Sequence, residues 1–155
     1  MAQATLFNGV IHDFSKNDKR YWLIPPEIYE KLNKEFNFTF DPCPYPKEQD
    51  ALSIEWGESN FVNPPFVSYN GVGPTAFVRK AIEENQKGKT IVLTLPTRHY
   101  INLLIEAGAE VRSLGRVRWL EVNTKEPMPS PNPVTCFILR GKSVDRMSSS
   151  NETSR

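Results

Sequence analysis

The sequence predicts an α/β domain with a mainly parallel central sheet and helices on both faces. Three observations carry that expectation. Thr90 to Leu95 is a near-continuous apolar run, the pattern of a strand buried on both sides. Strand-like and helix-like segments alternate along the chain, as a covered α/β sheet requires. Two abrupt stops, Asp41-Pro42 and Asn63-Pro64, come directly after strand candidates, at the carboxyl edge where such sheets hold ligands.

Taken in order, residues 1–19 read as a weakly structured arm, polar and mixed in charge from Asp13 onward. Residues 20–141 form a single domain. Pro25-Pro26 opens a helix over Glu27 to Asn33, with Ile28, Leu32 and Phe36 at helical spacing. Phe38-Thr39-Phe40 is a short strand that runs into Asp41-Pro42-Cys43-Pro44. Tyr45 to Asn60 has no clear period, although Ala51 to Trp56 suits a turn or short helix. Phe61-Val62 leads into Asn63-Pro64-Pro65-Phe66 and a loop from Val67 to Gly73, with Gly71 and Gly73 as hinges.

Pro74 to Gln86 reads as a helix that turns Phe77, Val78, Ala81 and Ile82 inward and ends near Gly88. Pro96 closes the apolar strand, and Thr97 caps a helix from Arg98 to Ala107 that stops at Gly108. Glu110 to Leu114, Val117 to Val122 and Val134 to Leu139 are further strands, the last two joined by a proline-rich link, Pro127 to Pro133. Residues 142–155, rich in serine and without an apolar face, form a disordered tail.

At 155 residues there is chain for one domain with a real core. Nineteen Lys+Arg against eighteen Asp+Glu give a net charge of +1, so the global balance argues neither for nor against nucleic acid. Cys43 and Cys136 lie far apart, with no CxxC and no nearby His, which suits a reducing cytosol and no metal site. Neither a signal peptide nor an apolar run of membrane-spanning length is present. Thirteen prolines against eight glycines make for stiff connections.

The chemistry is concentrated in Asn63-Pro64-Pro65-Phe66. Two prolines have fixed φ and no N–H, and each pushes its predecessor into extended geometry. A strand ending this way presents a rigid backbone, an amide, free carbonyls and a ring. Such a set is suited to holding a planar amine by both hydrogens while stacking on its ring. The exocyclic amine of adenine is a poor nucleophile because its lone pair is delocalised. The Asn63 oxygen and the Pro64 carbonyl each accept one N–H, which draws the nitrogen toward tetrahedral geometry, and Phe66 stacks on the flipped base. With a sulfonium methyl donor already activated, positioning and preorganised acceptors do most of the work. In an arbitrary protein the same four residues are simply a proline-terminated strand and a buried ring, and the Asp41 turn at the same sheet edge favours the site.

The ordered set Trp22, Pro25-Pro26-Glu27-Ile28-Tyr29, Leu32, Phe40-Asp41-Pro42-Cys43, Trp56, Asn63-Pro64-Pro65-Phe66, Lys80-Ala81, Leu93 to Arg98 and Gly115-Arg116 resembles the phage-type DNA adenine-N6 methyltransferases. The resemblance covers roughly residues 21 to 140. It implies a reduced Rossmann-like S-adenosylmethionine-dependent fold that methylates adenine in DNA. It further implies a phage- or prophage-encoded protein in the bacterial cytoplasm, of the kind found in restriction-modification. By the same resemblance, Asn63, Pro64, Pro65 and Phe66 are catalytic. Asp41, with Pro42 and Cys43, holds the methyl donor in place of a glycine-rich loop, a carboxylate being suited to an ammonium or to ribose hydroxyls. Trp22 and Pro25 line the donor pocket, with Asn63 at its border. Ile24 stands where the family usually has Thr, and the loop after Phe66 is longer than usual.

DNA contacts have to come from local charge. Arg112, Arg116 and Arg118 share one parity and line one face if Glu110 to Leu120 is a continuous strand; Gly115-Arg116 is alternatively a turn that breaks it. Arg98 and His99 follow the apolar strand to the same edge, and Tyr69 sits in a loop suited to closing over a flipped base. Three other readings stay open: a silent DNA-binding or interaction module on this scaffold, a cytosine amine as acceptor, or a protein glutamine. A homodimer is also left open.

Overall fold

The computed structural model describes the backbone of residues 5–7 and 10–12, together with residues 21–66, 68, 71–96, 98, 100–129 and 132–142. The tail lies outside these, as do Tyr69, Thr97 and His99. Within the arm, β1 (Thr5–Phe7) and β2 (Val10–His12) pair as an antiparallel hairpin.

The short strand β3 (Trp22–Leu23) precedes helix α1 (Pro26–Phe36). Proline suits that helix start, since the first-turn N–H groups have no helical partner. The Pro25 carbonyl accepts from the N–H groups of Ile28 and Tyr29 at 3.1 and 3.2 Å. The helix ends at Asn37, in left-handed geometry with φ 48°, a conformation asparagine tolerates. The expected strand Phe38 to Phe40 shrinks to one parallel bridge, Phe40 to Asn60.

Then follow β4 (Ser59–Val62), α2 (Pro74–Gln86), β5 (Thr90–Pro96), α3 (Ile101–Glu106), β6 (Glu110–Gly115), β7 (Arg118–Glu121), β8 (Pro127–Pro129) and β9 (Val134–Leu139). They form a four-stranded sheet of order β4-β5-β9-β6 and a three-stranded sheet of order β3-β7-β8.

This overturns the expected mainly parallel central sheet with helices on both faces. In the larger sheet only β4 and β5 run parallel, and β9 is antiparallel to both β5 and β6. The smaller sheet is antiparallel throughout. The misreading has a physical cause: an apolar run reports that both faces of a strand are buried and is silent about its direction. The β9 run Val-Thr-Cys-Phe-Ile-Leu is as apolar as β5 because it too sits inside the sheet. Gly115, at φ +67°, ends β6, and the next strand joins the other sheet, so Glu110 to Leu120 is not one continuous strand. The proline-rich link contributes β8, which sits at a sheet edge, where proline's missing N–H is tolerated.

Side chains alternate along β5 with period two. Ile91, Leu93 and Leu95 join Val62, Phe137 and Leu139 in one cluster with Val78, Ala81, Tyr100 and Leu104. Val92 joins Phe61, Cys136 and Ile138 in another with Leu32 and Phe36. A third small cluster, Val117, Trp119 and Val134, takes in Trp22, Ile24 and Phe66. Ile24 packs in both the second and third clusters. Burial raises the thiol pKa of both cysteines, Cys136 up to about 12, so neither is a ready nucleophile.

One charge is buried at the end of α2. Glu84 accepts from Lys80 at 2.7 Å, Lys87 at 3.0 Å, Lys89 at 2.7 Å and the Trp56 N–H at 3.3 Å. Lys89 in turn donates to the Trp56 carbonyl at 2.6 Å and to Glu55 at 3.0 Å. The Trp56 indole N–H donates to the Ala51 carbonyl at 2.8 Å. The turn at 51–56 is thereby locked to the helix, just ahead of β4.

Candidate active site

The β4–β5 register builds the site. Val62 pairs with Leu93, so the next step places Asn63 beside Thr94 on the face shared with Phe61 and Val92. The Thr94 hydroxyl donates to Asn63 Oδ1 at 3.1 Å, and Thr94 is fully buried. From the other side, Asn63 Nδ2 donates to the Trp22 carbonyl at 2.7 Å. The carboxamide is thus held at both ends, by the neighbouring strand and by β3 of the smaller sheet. A carbonyl can only accept, so the Trp22 contact fixes which end of the amide is nitrogen.

Pro64 is buried, and Phe66 is half-buried. The Phe66 ring meets Trp119 edge-to-face, with centroids 5.0 Å apart and planes at 66°. That geometry is the favoured one for an aromatic pair and fixes the ring's orientation.

Asp41 follows the Phe40 bridge directly and so lies at the same end of the parallel segment as Asn63. Its Oδ1 accepts from the Cys43 N–H at 2.9 Å, a tight aspartate turn. Burial pushes the Asp41 carboxyl up to about 6, against the Cys43 N–H that lowers it and with Glu48 adding to the rise. No other hydrogen bond among the described residues reaches this carboxylate. A Tyr21–Tyr45 ring contact, centroids 5.5 Å apart, ties the residue before Trp22 to the turn that carries Asp41, Pro42 and Cys43. Asn63 is thus bonded to the Trp22 carbonyl, and the residue before Trp22 meets the turn that carries Asp41. Pro25 is buried at the start of α1, next in line.

The basic residues do not converge. Arg112 is bound bidentately to Glu35 at 2.7 and 2.8 Å and to Glu110 at 2.7 Å, and its guanidinium lies 5.7 Å from the Phe36 ring centroid. Arg116 is exposed at the break after Gly115, and Arg118 is exposed on the other sheet. The expected arginine face along a continuous strand is therefore not formed. Arg98 is exposed two residues beyond β5. In the loop before α2, Gly71 has φ +75°, whereas Gly73 is extended and a side chain there would meet Ser68.

Sequence reasoning missed Thr94, Tyr21 and Tyr45. Thr94 had a signal: it is the only hydroxyl inside the run Ile91 to Leu95, where an apolar side chain would otherwise stand. The tyrosines had none, since their contact depends on the path of an irregular loop.

Comparison with protein families gives the class first: a methyltransferase whose substrate is DNA. The chain belongs to the DNA N-6-adenine-methyltransferase (Dam) family, matched over residues 12–154. Among curated proteins no match is found. Among the described residues no helix is long and apolar enough to cross a membrane, and no three His, Cys, Asp or Glu side chains are grouped to hold a metal.

Proposed function

We propose that this protein transfers a methyl group from S-adenosylmethionine to the exocyclic amine of adenine in DNA, at Asn63-Pro64-Pro65-Phe66. The observation that carries the proposal is the doubly held Asn63 carboxamide, beside the Asp41 turn at the carboxyl end of the parallel strand pair. Family membership supplies the reaction class.

Asn63 Oδ1 has two lone pairs, one of them taken by Thr94, and the other accepts an amine N–H. The Pro64 carbonyl accepts the second. Phe66, steadied by Trp119, stacks on the flipped base. The amine nitrogen gains the methyl group and gives up one proton to solvent.

S-adenosylmethionine, when bound, supplies a methyl on a positively charged sulfur that needs no further activation. The residues present fit such a donor. Asp41 is a partly desolvated carboxylate with a single backbone partner among the described residues, so an ammonium or ribose hydroxyls would complete its hydrogen bonding. Trp22 and Pro25 border the same space, with Pro42 and Cys43 shaping the turn. Arg98, Arg116 and Arg118 are the exposed cations proposed to meet DNA phosphates, and Arg112 is withdrawn into its pairs with Glu35 and Glu110. Tyr69 and His99 are proposed as DNA contacts from sequence position alone.

The test is incubation with methyl-labelled S-adenosylmethionine and mixed-sequence DNA, followed by nucleoside mass spectrometry. N6-methyladenine is the expected product, and its loss in Asn63→Ala with donor affinity unchanged ties turnover to the motif. Label on cytosine alone, or on neither base, refutes the assignment.

A further inference from the structure

The two bonds to the Asn63 side chain have a chemical consequence beyond steadying it. A carboxamide is ambiguous, with one end accepting hydrogen bonds and the other donating them. Turned one way it matches an amine; turned the other way it matches a ring carbonyl. The Trp22 carbonyl, 2.7 Å from Nδ2, is an acceptor only and forbids the reversed arrangement. The Thr94 hydroxyl, 3.1 Å from Oδ1 and fully buried, donates to that oxygen. We propose that Thr94 and the Trp22 carbonyl set the polarity of Asn63, so that the site takes a base bearing a primary amine and rejects one bearing a carbonyl at the same place. Thr94 is a positioning residue acting through Asn63.

This rests on the proposed function, since it takes Asn63 as the group that meets the base. It also explains why the chain has Asn at this position and not Asp. A carboxylate would accept an amine equally well, but it would set a second acceptor against the Trp22 carbonyl with no hydrogen between them. The site is built around an amide.

The experiment compares the wild type with Thr94→Val, Thr94→Ser and Asn63→Asp. Binding is read by fluorescence anisotropy on mixed-sequence oligonucleotides and on the same oligonucleotides with every adenine replaced by hypoxanthine, which puts a carbonyl where the amine was. Wild type and Thr94→Ser should prefer the adenine-bearing DNA several-fold, and Thr94→Val, with the Trp22 carbonyl alone to orient the amide, should lose most of that preference. Turnover should fall about tenfold in Thr94→Val, with KM for S-adenosylmethionine within about twofold, and should recover in Thr94→Ser, a drop on the scale of one lost hydrogen bond. Asn63→Asp should lose turnover to a similar degree. Exchange of the Asn63 side-chain amide protons, followed by 15N NMR, should be slow in wild type and fast in Thr94→Val.

Wild-type preference and slow amide exchange retained in Thr94→Val would overturn the inference. If Thr94→Val does not fold, Asn63→Asp decides, and full turnover there overturns it. If the wild type methylates nothing, the proposed function fails. The binding preference and amide exchange then still decide the role of Thr94: their dependence on its hydroxyl upholds the inference, and their independence overturns it.

Discussion

Replacing Glu84 with Gln removes the charge that collects three lysines and the Trp56 N–H at the end of α2. Burial alone would raise this carboxyl, but the hydrogen bonds from Lys80, Lys89, Lys87 and Trp56 outweigh it and hold the pKa at about 2, against 4.5 for a free glutamate. At ~1.36 kcal/mol per pKa unit, that difference corresponds to roughly 3 kcal/mol of stability. Breaking a buried ion pair from one side costs a similar ~3–5 kcal/mol, here because Lys89 stays buried with less to pair it. The sign follows from the lowered folded-state pKa: the contribution is complete above the unfolded value of 4.5 and is lost as pH falls toward 2. Urea denaturation followed by tryptophan fluorescence should place Glu84→Gln ~3 kcal/mol below wild type at pH 7. The gap should close as pH drops from about 4.5 to about 2, where the wild-type carboxyl becomes neutral like the amide. A gap below ~1 kcal/mol at pH 7, or one independent of pH, would refute the reasoning.

Asp41, raised to about 6, behaves oppositely: the folded state disfavours its charge, so its effect lowers stability as pH rises from 3.8 through about 6. Asp41→Asn should therefore stabilise the protein at pH 7 by ~1–2 kcal/mol, discounted for partial exposure, while weakening S-adenosylmethionine binding. Calorimetric donor affinity in the wild type should climb with pH through about 6 as the carboxylate forms. Arg112→Ala should lose ~0.5–1 kcal/mol of stability with DNA affinity unchanged, because its partners are Glu35 and Glu110. Arg118→Ala should leave stability alone but weaken DNA binding and flatten its salt dependence, as read by anisotropy titrations at two salt concentrations. Gly115→Ala should lower the urea midpoint by the equivalent of ~1 kcal/mol, since a Cβ there has open space but the backbone sits at φ +67°.

The elements that could be read from the sequence were those whose signal is local. Pro74 to Gln86 forms the helix within the expected bounds, because proline opens it and the apolar spacing continues through Ala81. Strand β5 matches its expected start at Thr90 for the same kind of reason. Sheet polarity was not legible, since Val134 to Leu139 carries no mark of the direction in which it will insert. Asp41 and Asn63 were legible as candidates through the turns that end their segments, whereas Trp22 entered only by the family resemblance. The partners that hold Asn63 were not legible, because one is a backbone carbonyl, which any residue has. Arg112, read as a DNA contact, is paired with Glu110 beside it and with Glu35, 77 residues earlier, and that second partner was not legible in the sequence. The helix pattern does not reveal that Glu84 is buried, because the turn at Trp56 and the start of β5 are what close over it.

The insertion of β9 between β5 and β6 has a consequence for how the chain assembles during synthesis. Among the described residues, β6 pairs with β9 and with no other strand, and the other long edge of β5 is closed by β9 as well. Until Val134 to Leu139 has left the ribosome, β5 and β6 each expose an unpaired edge to their surroundings. The β4–β5 pair that carries Asn63 and Thr94 can form earlier, but its sheet stays open on one side. Completion therefore waits on contacts between distant parts of the chain, which are slow to form and leave sticky strand edges exposed meanwhile. Removing residues from 134 onward would leave both edges open at once and should send the product into aggregates, although every residue of the proposed catalytic motif would still be present.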